Sequence, residues 1–307
     1  MNRDGRFAPS PTGHLHLGNL RTALLAWLFA RSQDSAFRMR IEDLDSSRVR
    51  PGLSEQQLAD LAAIGIDWDG EVVRQSERIP AYESAVAGLE RDGRVYPCFC
   101  TRAEIRAAAS APHGPAPEGA YPGTCRHLDA QTRAELLAAG RSPALRLRAD
   151  GVAVEFEDRL RGRIRTTIDD FVLRRNDGAY AYNLAVVVDD AAQGVGEVVR
   201  GDDLLSSTGR QLHLAAALGL AAPSHAHVPL VLGPDGSRLA KRHGSVTLRD
   251  TGVAEAMNWI AGSLGSPGGG RAGDLLARFD PTALPTEPSV YAPRDQRSGP
   301  ETNPEGR

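Results

Sequence analysis

The fold is decided by residues 6–24, whose sequence is RFAPSPTGHLHLGNLRTAL. Its beginning predicts a short strand that enters a turn rich in proline and glycine. Leucines at helical spacing from Leu17 to Ala30 then predict a helix with one buried face. The alternation at Phe37–Glu42 predicts a second strand. A strand, loop, helix and strand in this order open a parallel nucleotide-binding sheet, which places the chain in the α/β class.

The predicted start of the first helix suits phosphate binding. Free backbone N–H groups and the helix dipole make such an end attractive to anions. His16, just before the helix, is able to donate a hydrogen bond to a phosphate as charge builds on it. Gly18 has no side chain, so an adenine or ribose is able to approach the backbone there.

The rest of the chain alternates helix and strand patterns around a loop-rich middle at residues 98–126. Sheet character is expected at 144–148, 152–157, 185–189, 197–200 and 227–232, with a hairpin turn at Asn176-Asp177-Gly178. We predict a first half of the catalytic domain at residues 1–93, an inserted α+β subdomain at 94–180, and a second half at 181–265. Residues 266–307 are rich in glycine, proline, arginine and acidic residues, and this predicts a weakly ordered tail.

Composition sets broad limits on location and partners. Hydrophobic residues make up 41% and charged residues 24% of the 307 residues, an ordinary balance for a globular protein. No apolar run has the length of a membrane span, and no signal peptide follows Met1, so a cytoplasmic protein without a membrane partner is expected. The net charge of −3 neither indicates nor excludes a nucleic acid, because a folded RNA needs only a local basic face.

Lysine is nearly absent from this chain. Of the 36 basic residues, 35 are arginine, and Lys241 is the single lysine. It follows a predicted strand and the turn at 233–236. A lysine ammonium is a compact charge that the planar arginine side chain does not reproduce, so this position is a candidate for phosphate binding.

The three cysteines, Cys98, Cys100 and Cys125, are clustered in 28 residues. An odd number of clustered cysteines in a cytoplasmic protein indicates a metal site rather than disulfides. Three thiolates supply three corners of a zinc tetrahedron, and spacing alone offers His127 or His113 as the fourth ligand. With no ligand position left open, such a site is structural.

Residues 6–24 resemble the signature of class I glutamyl-tRNA synthetases, in which His16-Leu17-Gly18-Asn19 stands in the place of the "HIGH" tetrapeptide. The segment Arg238-Leu239-Ala240-Lys241-Arg242 resembles the "KMSKS" loop of that class, with arginine at its first basic position and alanine in place of serine. The resemblance extends over about residues 6 to 250. It implies His16 and Lys241 as catalytic residues, and the following ATP-binding set: His16, Gly18, Asn19, Arg238 and Lys241.

The same resemblance implies a glutamate site. Glu42-Asp43-Leu44-Asp45, Tyr182-Asn183-Leu184-Ala185 and Val199–Leu204 match further pieces of the family pattern. The implied glutamate-binding residues are Arg6, Ser10, Glu42, Tyr182 and Arg200. Glu42 is expected to bind the α-ammonium, and the arginines and the tyrosine are expected to share the two carboxylates. Asp43 and Asp45 are expected to cap the next helix rather than to act in catalysis.

The short stretch after Lys241-Arg242 predicts no anticodon-binding domain, so the chain is similar to the truncated glutamyl-queuosine tRNA(Asp) synthetases. This likeness implies Tyr121 as the fourth ligand of a structural Zn²⁺ with Cys98, Cys100 and Cys125. It also implies a monomer whose substrates are L-glutamate, ATP with Mg²⁺, and queuosine-containing tRNA(Asp). The alternatives are a minimal glutamyl-tRNA synthetase that charges tRNA(Glu), a ligase with a non-tRNA acceptor, and a catalytically silent tRNA-binding paralogue.

Overall fold

The computed structural model describes residues 3–109, 121–244, 246–266 and 268–293. The helices are α1 (Leu17–Arg31), α2 (Leu53–Ala63), α3 (Ile79–Arg91), α4 (Arg102–Ala109), α5 (Ala130–Ala138), α6 (Tyr182–Ala192), α7 (Leu205–Ala217), α8 (Leu248–Thr251), α9 (Val253–Ser263) and α10 (Ala272–Leu276). The strands are β1 (Gly5–Phe7), β2 (Phe37–Ile41), β3 (Val73–Arg74), β4 (Val95–Cys98), β5 (Ala144–Leu147), β6 (Ala153–Asp158), β7 (Gly162–Thr167), β8 (Val172–Arg174), β9 (Glu197–Gly201), β10 (Ser224–Val228), β11 (Val231–Leu232) and β12 (Ser289–Val290). Short 3₁₀ turns lie at Gln75–Glu77, Asp202–Leu204 and Lys241–His243.

The predicted parallel nucleotide-binding sheet is confirmed. β1 pairs with β2 and β2 with β3, while β9 pairs with β10, all in parallel. The two groups meet where the backbone N–H groups of Gly196 and Glu197 donate to the carbonyl of Asp4, at 2.9 and 3.1 Å. The strand order is therefore β3-β2-β1-β9-β10, and its direction of growth reverses between β1 and β9. In open parallel sheets, ligands bind in the crevice at the carboxyl ends of the strands on either side of such a reversal.

Helix α1 is buried on nearly every side, not on one face as the leucine spacing predicts. Leu17, Leu20 and Leu24 are fully buried, and Trp27 and Phe29 are buried on other sides of the helix. Because α9 and α10 also pack against it, α1 runs through the centre of the core.

The prediction of a weakly ordered tail is wrong for residues 268–293. Helix α10 packs against α1, and β12 pairs in parallel with β11. Phe279 lies edge-on to Phe29 with ring centroids 5.4 Å apart, and Tyr291 is buried against Trp259. A few well-spaced apolar side chains are enough to cover α1, and they do not form a periodic pattern that a sequence window detects. Residues 294–307 lie outside the described residues.

The inserted region is not a separate layer. β4, β5 and β8 form an antiparallel sheet, as expected for an α+β insertion. The hairpin of β6 and β7, however, joins the second half of the nucleotide-binding sheet, because β6 pairs in parallel with β10 at Asp158 and His225. The predicted boundary near residue 180 is therefore crossed by strand pairing.

Two expected strands take another form. The run at 185–189 lies inside helix α6, because a short buried apolar run has no period that separates a strand from a helix. The strand expected at 227–232 is divided into β10 and β11 around Pro229, which lacks a backbone N–H to donate. Within the described part of the chain, no helix combines the length and apolar character that a membrane crossing needs.

Candidate active site

A cavity of about 530 Å³ opens at the carboxyl ends of β1, β2 and β9, where the strand order reverses. Its lining includes nearly all the residues that the sequence assigns to glutamate and ATP: Arg6, Ser10, His16, Gly18, Asn19, Glu42, Tyr182, Arg200 and Arg238. Asp43 and Asp45 are not among the lining residues. The fold therefore gathers two predicted sites, from distant parts of the chain, into one crevice.

His16 is the N-cap of α1, and its hydrogen bonds and pKa together define the tautomer of its ring. Its Nδ1 accepts from the backbone N–H of Asn19 at 3.2 Å, while the Asn19 side chain accepts from the backbone N–H of His16 at 3.2 Å. Burial, and secondly the charge of Arg238, lower the pKa of His16 to about 4. The ring is therefore neutral near pH 7 and carries its proton on Nε2, as a hydrogen-bond donor. Asn19 completes a capping box with His16, which gives a structural role to the asparagine at this position of the signature.

Gly18 lies directly beside the ring of His16. A Cβ atom at this position would lie 3.0 Å from Cε1 and Nδ1 of His16 and 3.3 Å from Cβ of Val231. A side chain would therefore be in tight contact with the capping imidazole, and the glycine keeps the space beside the ring open.

The loop that carries Lys241 is a closed hairpin attached to α1. Leu239 N donates to Val231 O at 2.9 Å, and the loop's far end reaches α1 where Leu17 N donates to Val246 O at 2.8 Å. His243 locks the turn, because its Nδ1 accepts from Ala240 N at 3.0 Å. Its ring also occupies the space where a Cβ of Gly233 would lie, at 2.7 Å.

Within this hairpin, Arg238 forms an ion pair with Asp203, in which the Arg238 side chain is 55% exposed. Lys241 begins the 3₁₀ turn Lys241–His243. Its contact with ATP phosphates stays a prediction.

The opposite end of the cavity is built on a buried charge network. Arg6 donates to both carboxylate oxygens of Asp190, at 3.2 and 3.4 Å, and Arg40 donates to the same carboxylate at 2.7 Å. All three residues are buried. Although burial opposes ionisation, the two arginines keep the pKa of Asp190 below its ordinary value. Two strands of the sheet, β1 and β2, are thereby tied to helix α6.

Glu42 directly follows β2, beside this network. Its carboxylate accepts from Nη2 of Arg40 at 3.3 Å, and its backbone N–H donates to Pro9 O at 3.0 Å. Burial raises the pKa of Glu42 even though Arg40 and Arg6 oppose the shift. A further cation in the cavity would stabilise the ionised form of Glu42, which is the behaviour expected of a residue that binds an ammonium group.

Arg200 differs from Arg6 in having neutral partners. Its guanidinium donates to His227 Nε2 at 3.0 Å and to Gln211 Oε1 at 2.8 Å. It donates also to Thr208 Oγ1 at 2.7 Å and to Leu204 O at 3.3 Å. Among the described residues, no carboxylate forms a salt bridge with it, and burial lowers its pKa. The side chain is therefore a fixed cation whose charge is available to an anionic ligand.

Ser10 and Tyr182 complete the cavity wall. Tyr182 begins α6 and is 38% exposed at the opening, near Arg200. Ser10 lies in the proline-rich turn, whose carbonyls at Ser10 and Gly13 accept from Nε2 of Gln57 at 3.0 and 2.7 Å. Gln57 is buried, and it holds the shape of the turn.

Asp43 and Asp45 do not cap α2, so that expectation is wrong. The N-cap of α2 is Gly52, which has no side chain to cap with. Asp43 instead accepts from the backbone and hydroxyl of Ser76, at 2.8 and 2.7 Å, and Asp45 accepts from Ser47 at 2.6 Å. Both aspartates shape loops outside the cavity.

The cysteine cluster lies in the antiparallel part of the insertion. The Sγ atoms of Cys98, Cys100 and Cys125 all lie within 4.8 Å of one another, a separation suited to one metal ion. Tyr121 Oη is 3.3 Å from Sγ of Cys98 and accepts from the backbone N–H of Cys125 at 2.8 Å. Burial, and then the Cys125 thiol, raise the pKa of Cys100 to about 12, so a metal ion would have to displace that proton.

Three residues are candidates for the fourth ligand of a metal ion in this cluster: Tyr121, His127 and His113. Tyr121 reaches the cluster, whereas His127 is exposed and outside it. His113 lies outside the described residues.

Comparison with known proteins agrees with this geometry. Residues 4–258 match the model of tRNA synthetases class I (E and Q), catalytic domain. A protein of Nocardia farcinica named glutamyl-Q tRNA(Asp) synthetase is 60% identical over 93% of this chain and 92% of its own length. A Symbiobacterium thermophilum protein of the same name is 49% identical over 92% of this chain and 94% of its own. The chain belongs to the glutamyl-Q tRNA(Asp) synthetase family.

Two solved structures of glutamate-tRNA synthetases share the fold of this chain. A glutamate tRNA ligase from Elizabethkingia meningosepticum, in complex with its amino acid, superposes with a TM-score of 0.79 at 28% identity. The alignment covers 95% of this chain and 67% of that one. A glutamate-tRNA synthetase from Elizabethkingia anophelis gives a TM-score of 0.81 at 28% identity, over 95% and 68% of the two chains.

Sequence reasoning missed the residues that hold this family's site in shape. Arg40, Asp158, Asp190 and His227 are buried and charged or polar, and each bonds to a cavity residue or to its partner. Their signal was present, because Arg40 lies in a buried strand and Asp190 follows the apolar run of α6. A charged residue inside an apolar element is rarely buried without a partner, so a charge in such a run predicts a buried ion pair.

Proposed function

We propose that the chain is an ATP-dependent ligase that converts L-glutamate to glutamyl-adenylate without tRNA, then transfers the glutamate to queuosine in the anticodon of tRNA(Asp). The observation that carries this proposal is that one cavity contains two different binding regions. One end holds Arg200, a buried cation with neutral partners, and the other holds His16 at a helix N-terminus. An anionic amino acid and a nucleotide phosphate fit these two ends.

The glutamate end would bind three charged groups. Arg200 would bind a carboxylate of glutamate, because its hydrogen-bond partners Gln211 and Thr208 are neutral and leave its charge available. Arg6 shares its charge with Asp190 and therefore contributes less to the ligand, together with Tyr182 and Ser10. Glu42 would accept the α-ammonium, and the arrival of that ammonium offsets the burial that raises its pKa.

The ATP end would stabilise charge as it moves. An oxygen of the glutamate α-carboxylate attacks the α-phosphorus, and the bond to the bridging oxygen of pyrophosphate breaks. Neutral His16, at the positive end of the α1 dipole, would donate from Nε2 to a phosphate oxygen. Lys241 and Arg238 would balance the charge of the leaving pyrophosphate, and the Mg²⁺ that accompanies ATP supplies further positive charge. The queuosine hydroxyl then attacks the mixed anhydride and releases AMP.

The cysteine cluster would hold a structural Zn²⁺ with Cys98, Cys100, Cys125 and Tyr121 as ligands. Four ligands close the tetrahedron, so the ion would brace the insertion and leave catalysis to the cavity. Metal analysis is expected to find about one zinc per chain and to find it lost in Cys100→Ser.

Glutamate-dependent exchange of pyrophosphate into ATP, measured without tRNA, tests the activation step. Exchange with glutamate but not with glutamine or aspartate is expected. No exchange would favour a catalytically silent tRNA-binding paralogue and would overturn the proposal.

A charging assay then identifies the acceptor. We expect glutamate on tRNA(Asp) that contains queuosine and none on tRNA(Asp) that lacks it. Equal charging of both would refute the queuosine assignment. Charging of tRNA(Glu) would identify a minimal glutamyl-tRNA synthetase, the alternative that the likeness to the two solved glutamate enzymes favours.

A further inference from the structure

His227 and Asp158 lie behind the cavity and are both fully buried. His227 belongs to β10, whereas Asp158 ends β6 in the inserted hairpin. The two side chains bond to each other, with His227 Nδ1 and Asp158 Oδ2 2.5 Å apart. The pair therefore connects the insertion to the strand beside the cavity.

The hydrogen bonds of His227 define its tautomer. Its Nε2 faces the Nε–H of Arg200 at 3.0 Å, and since an arginine N–H only donates, this nitrogen must be the acceptor. Nδ1 therefore carries the proton and donates it to Asp158. Burial, then the charge of Arg200, lower the pKa of His227, in agreement with a neutral ring.

Asp158 is held as an ion by donors on every side. Its Oδ1 accepts from the backbone N–H groups of Leu160 and Arg161, at 3.1 and 2.9 Å, and from that of His227 at 3.2 Å. Although burial opposes it, the hydrogen bond from His227 is the main cause of the lowered pKa of Asp158. The carboxylate is therefore fixed in place, and it fixes the imidazole in turn.

This arrangement orients Arg200 without neutralising it. A carboxylate bonded directly to Arg200 would compete with the carboxylate of a ligand, as Asp190 does at Arg6. A neutral imidazole between Asp158 and Arg200 supplies an acceptor and leaves the positive charge uncancelled by direct contact. The Arg200 charge then remains available to the cavity in a fixed orientation.

We infer that Asp158 and His227 are positioning residues that hold Arg200 for the carboxylate of the amino acid, an inference that rests on the proposed function. They touch neither glutamate nor ATP. Their loss should weaken the use of glutamate and leave the use of ATP unchanged.

The variants His227→Asn and His227→Gln separate positioning from packing. Asparagine keeps a polar group near the place of Nδ1, facing Asp158, whereas glutamine keeps an acceptor near the place of Nε2, facing Arg200. Both remove the ring. We expect H227N to raise the KM for glutamate about tenfold in the pyrophosphate-exchange assay, the effect of one lost hydrogen bond to a charged group. H227Q is expected to stay near the wild-type KM.

Asp158→Asn changes the pair from the other side. The amide of asparagine would donate to Nδ1 of His227, so the ring proton would move to Nε2. Two donors, Nε2–H of His227 and the N–H of Arg200, would then face each other. D158N is therefore expected to raise the KM for glutamate as H227N does, while the KM for ATP stays within about twofold.

Two matched controls account for the cost of changing a buried polar residue. Asp170→Asn alters a buried aspartate that accepts from Tyr96, Arg126 and Ala149, outside the cavity lining. His225→Asn alters the buried histidine that stacks on His227 at 5.9 Å. Neither control is expected to change the ratio of the two KM values, and thermal unfolding shows which variants fold.

The outcomes separate the two proposals. A wild-type enzyme without glutamate-dependent exchange overturns the proposed function itself. With an active wild type, equal KM values for H227N and H227Q, or a D158N variant with wild-type KM, would overturn the positioning role. A parallel rise of the KM for ATP would also overturn it, since that pattern indicates general damage to the cavity.

Discussion

The two ends of the cavity are stabilised in different ways. At the glutamate end, Arg6, Arg40 and Asp190 are buried together and join two strands to a helix. At the ATP end, Arg238 pairs with Asp203 at a partly exposed position, within a hairpin closed by local backbone hydrogen bonds. The charges of the first arrangement are buried and hold the fold together. The ion pair of the second is partly exposed, so its loss should cost the fold less.

The largest expected contrast is in stability. Asp190→Asn removes the buried carboxylate that Arg6 and Arg40 share, and Arg40 keeps only its longer contacts with Glu42 and Asp189. The change should lower the free energy of unfolding by about 3–5 kcal/mol. Asp203→Asn removes the partner of a largely exposed arginine and should cost less than about 1 kcal/mol. Urea unfolding of both variants measures the difference. Similar losses in the free energy of unfolding would show that both ion pairs contribute equally to the stability of the fold.

The second contrast is in rate. Lys241→Ala is expected to lower the kcat of pyrophosphate exchange about 100-fold, because one donor to developing charge is removed. Thermal unfolding of each variant, run beside the exchange assay, checks that the fold is kept. Arg242→Ala is the matched control, since Arg242 is 59% exposed and contacts Ser237 and Asp235 in its own loop. If both variants lose the same activity, Lys241 has no special role.

The smallest effect concerns pH. The pKa of His16 is about 4 in the folded chain and about 6.5 in the unfolded one, so between these values only the unfolded chain binds the proton. The free energy of unfolding should therefore fall as the pH is lowered from 6.5 towards 4, by up to about 1.4 kcal/mol per pH unit from this residue.

His16→Asn keeps an N-cap acceptor and removes the titration. Urea unfolding at pH 7, 6 and 5 should give a shallower dependence for H16N than for the wild type, while the other buried histidines contribute equally to both. Identical slopes would show that His16 is not shifted.

Local sequence was sufficient for the helix N-terminus and for the order of the first elements. Residues 6–24 contain the strand, the turn, the cap and the helix, and the capping box of His16 is formed with Asn19, three residues away. The same holds for the cysteine cluster, where two cysteines and the Tyr121–Cys125 segment are each close in sequence. Short-range patterns of this kind are visible in the chain itself.

The supporting network depends on contacts between distant residues. Arg40 and Asp190 are 150 positions apart, and His227 and Asp158 are 69 apart. The burial of α1 under α10 and Phe279 is likewise a contact across the whole chain.

The sequence by itself determined the chemistry that is available: a capped helix end, a single lysine, and arginines and carboxylates suited to glutamate. Only the tertiary structure decided which charges are cancelled, because Arg6 meets Asp190 whereas Arg200 meets the neutral face of His227. The physical reason is that the effect of a buried charge depends on its nearest neighbours in space. Those neighbours are chosen by the packing of the sheet and not by the order of the chain.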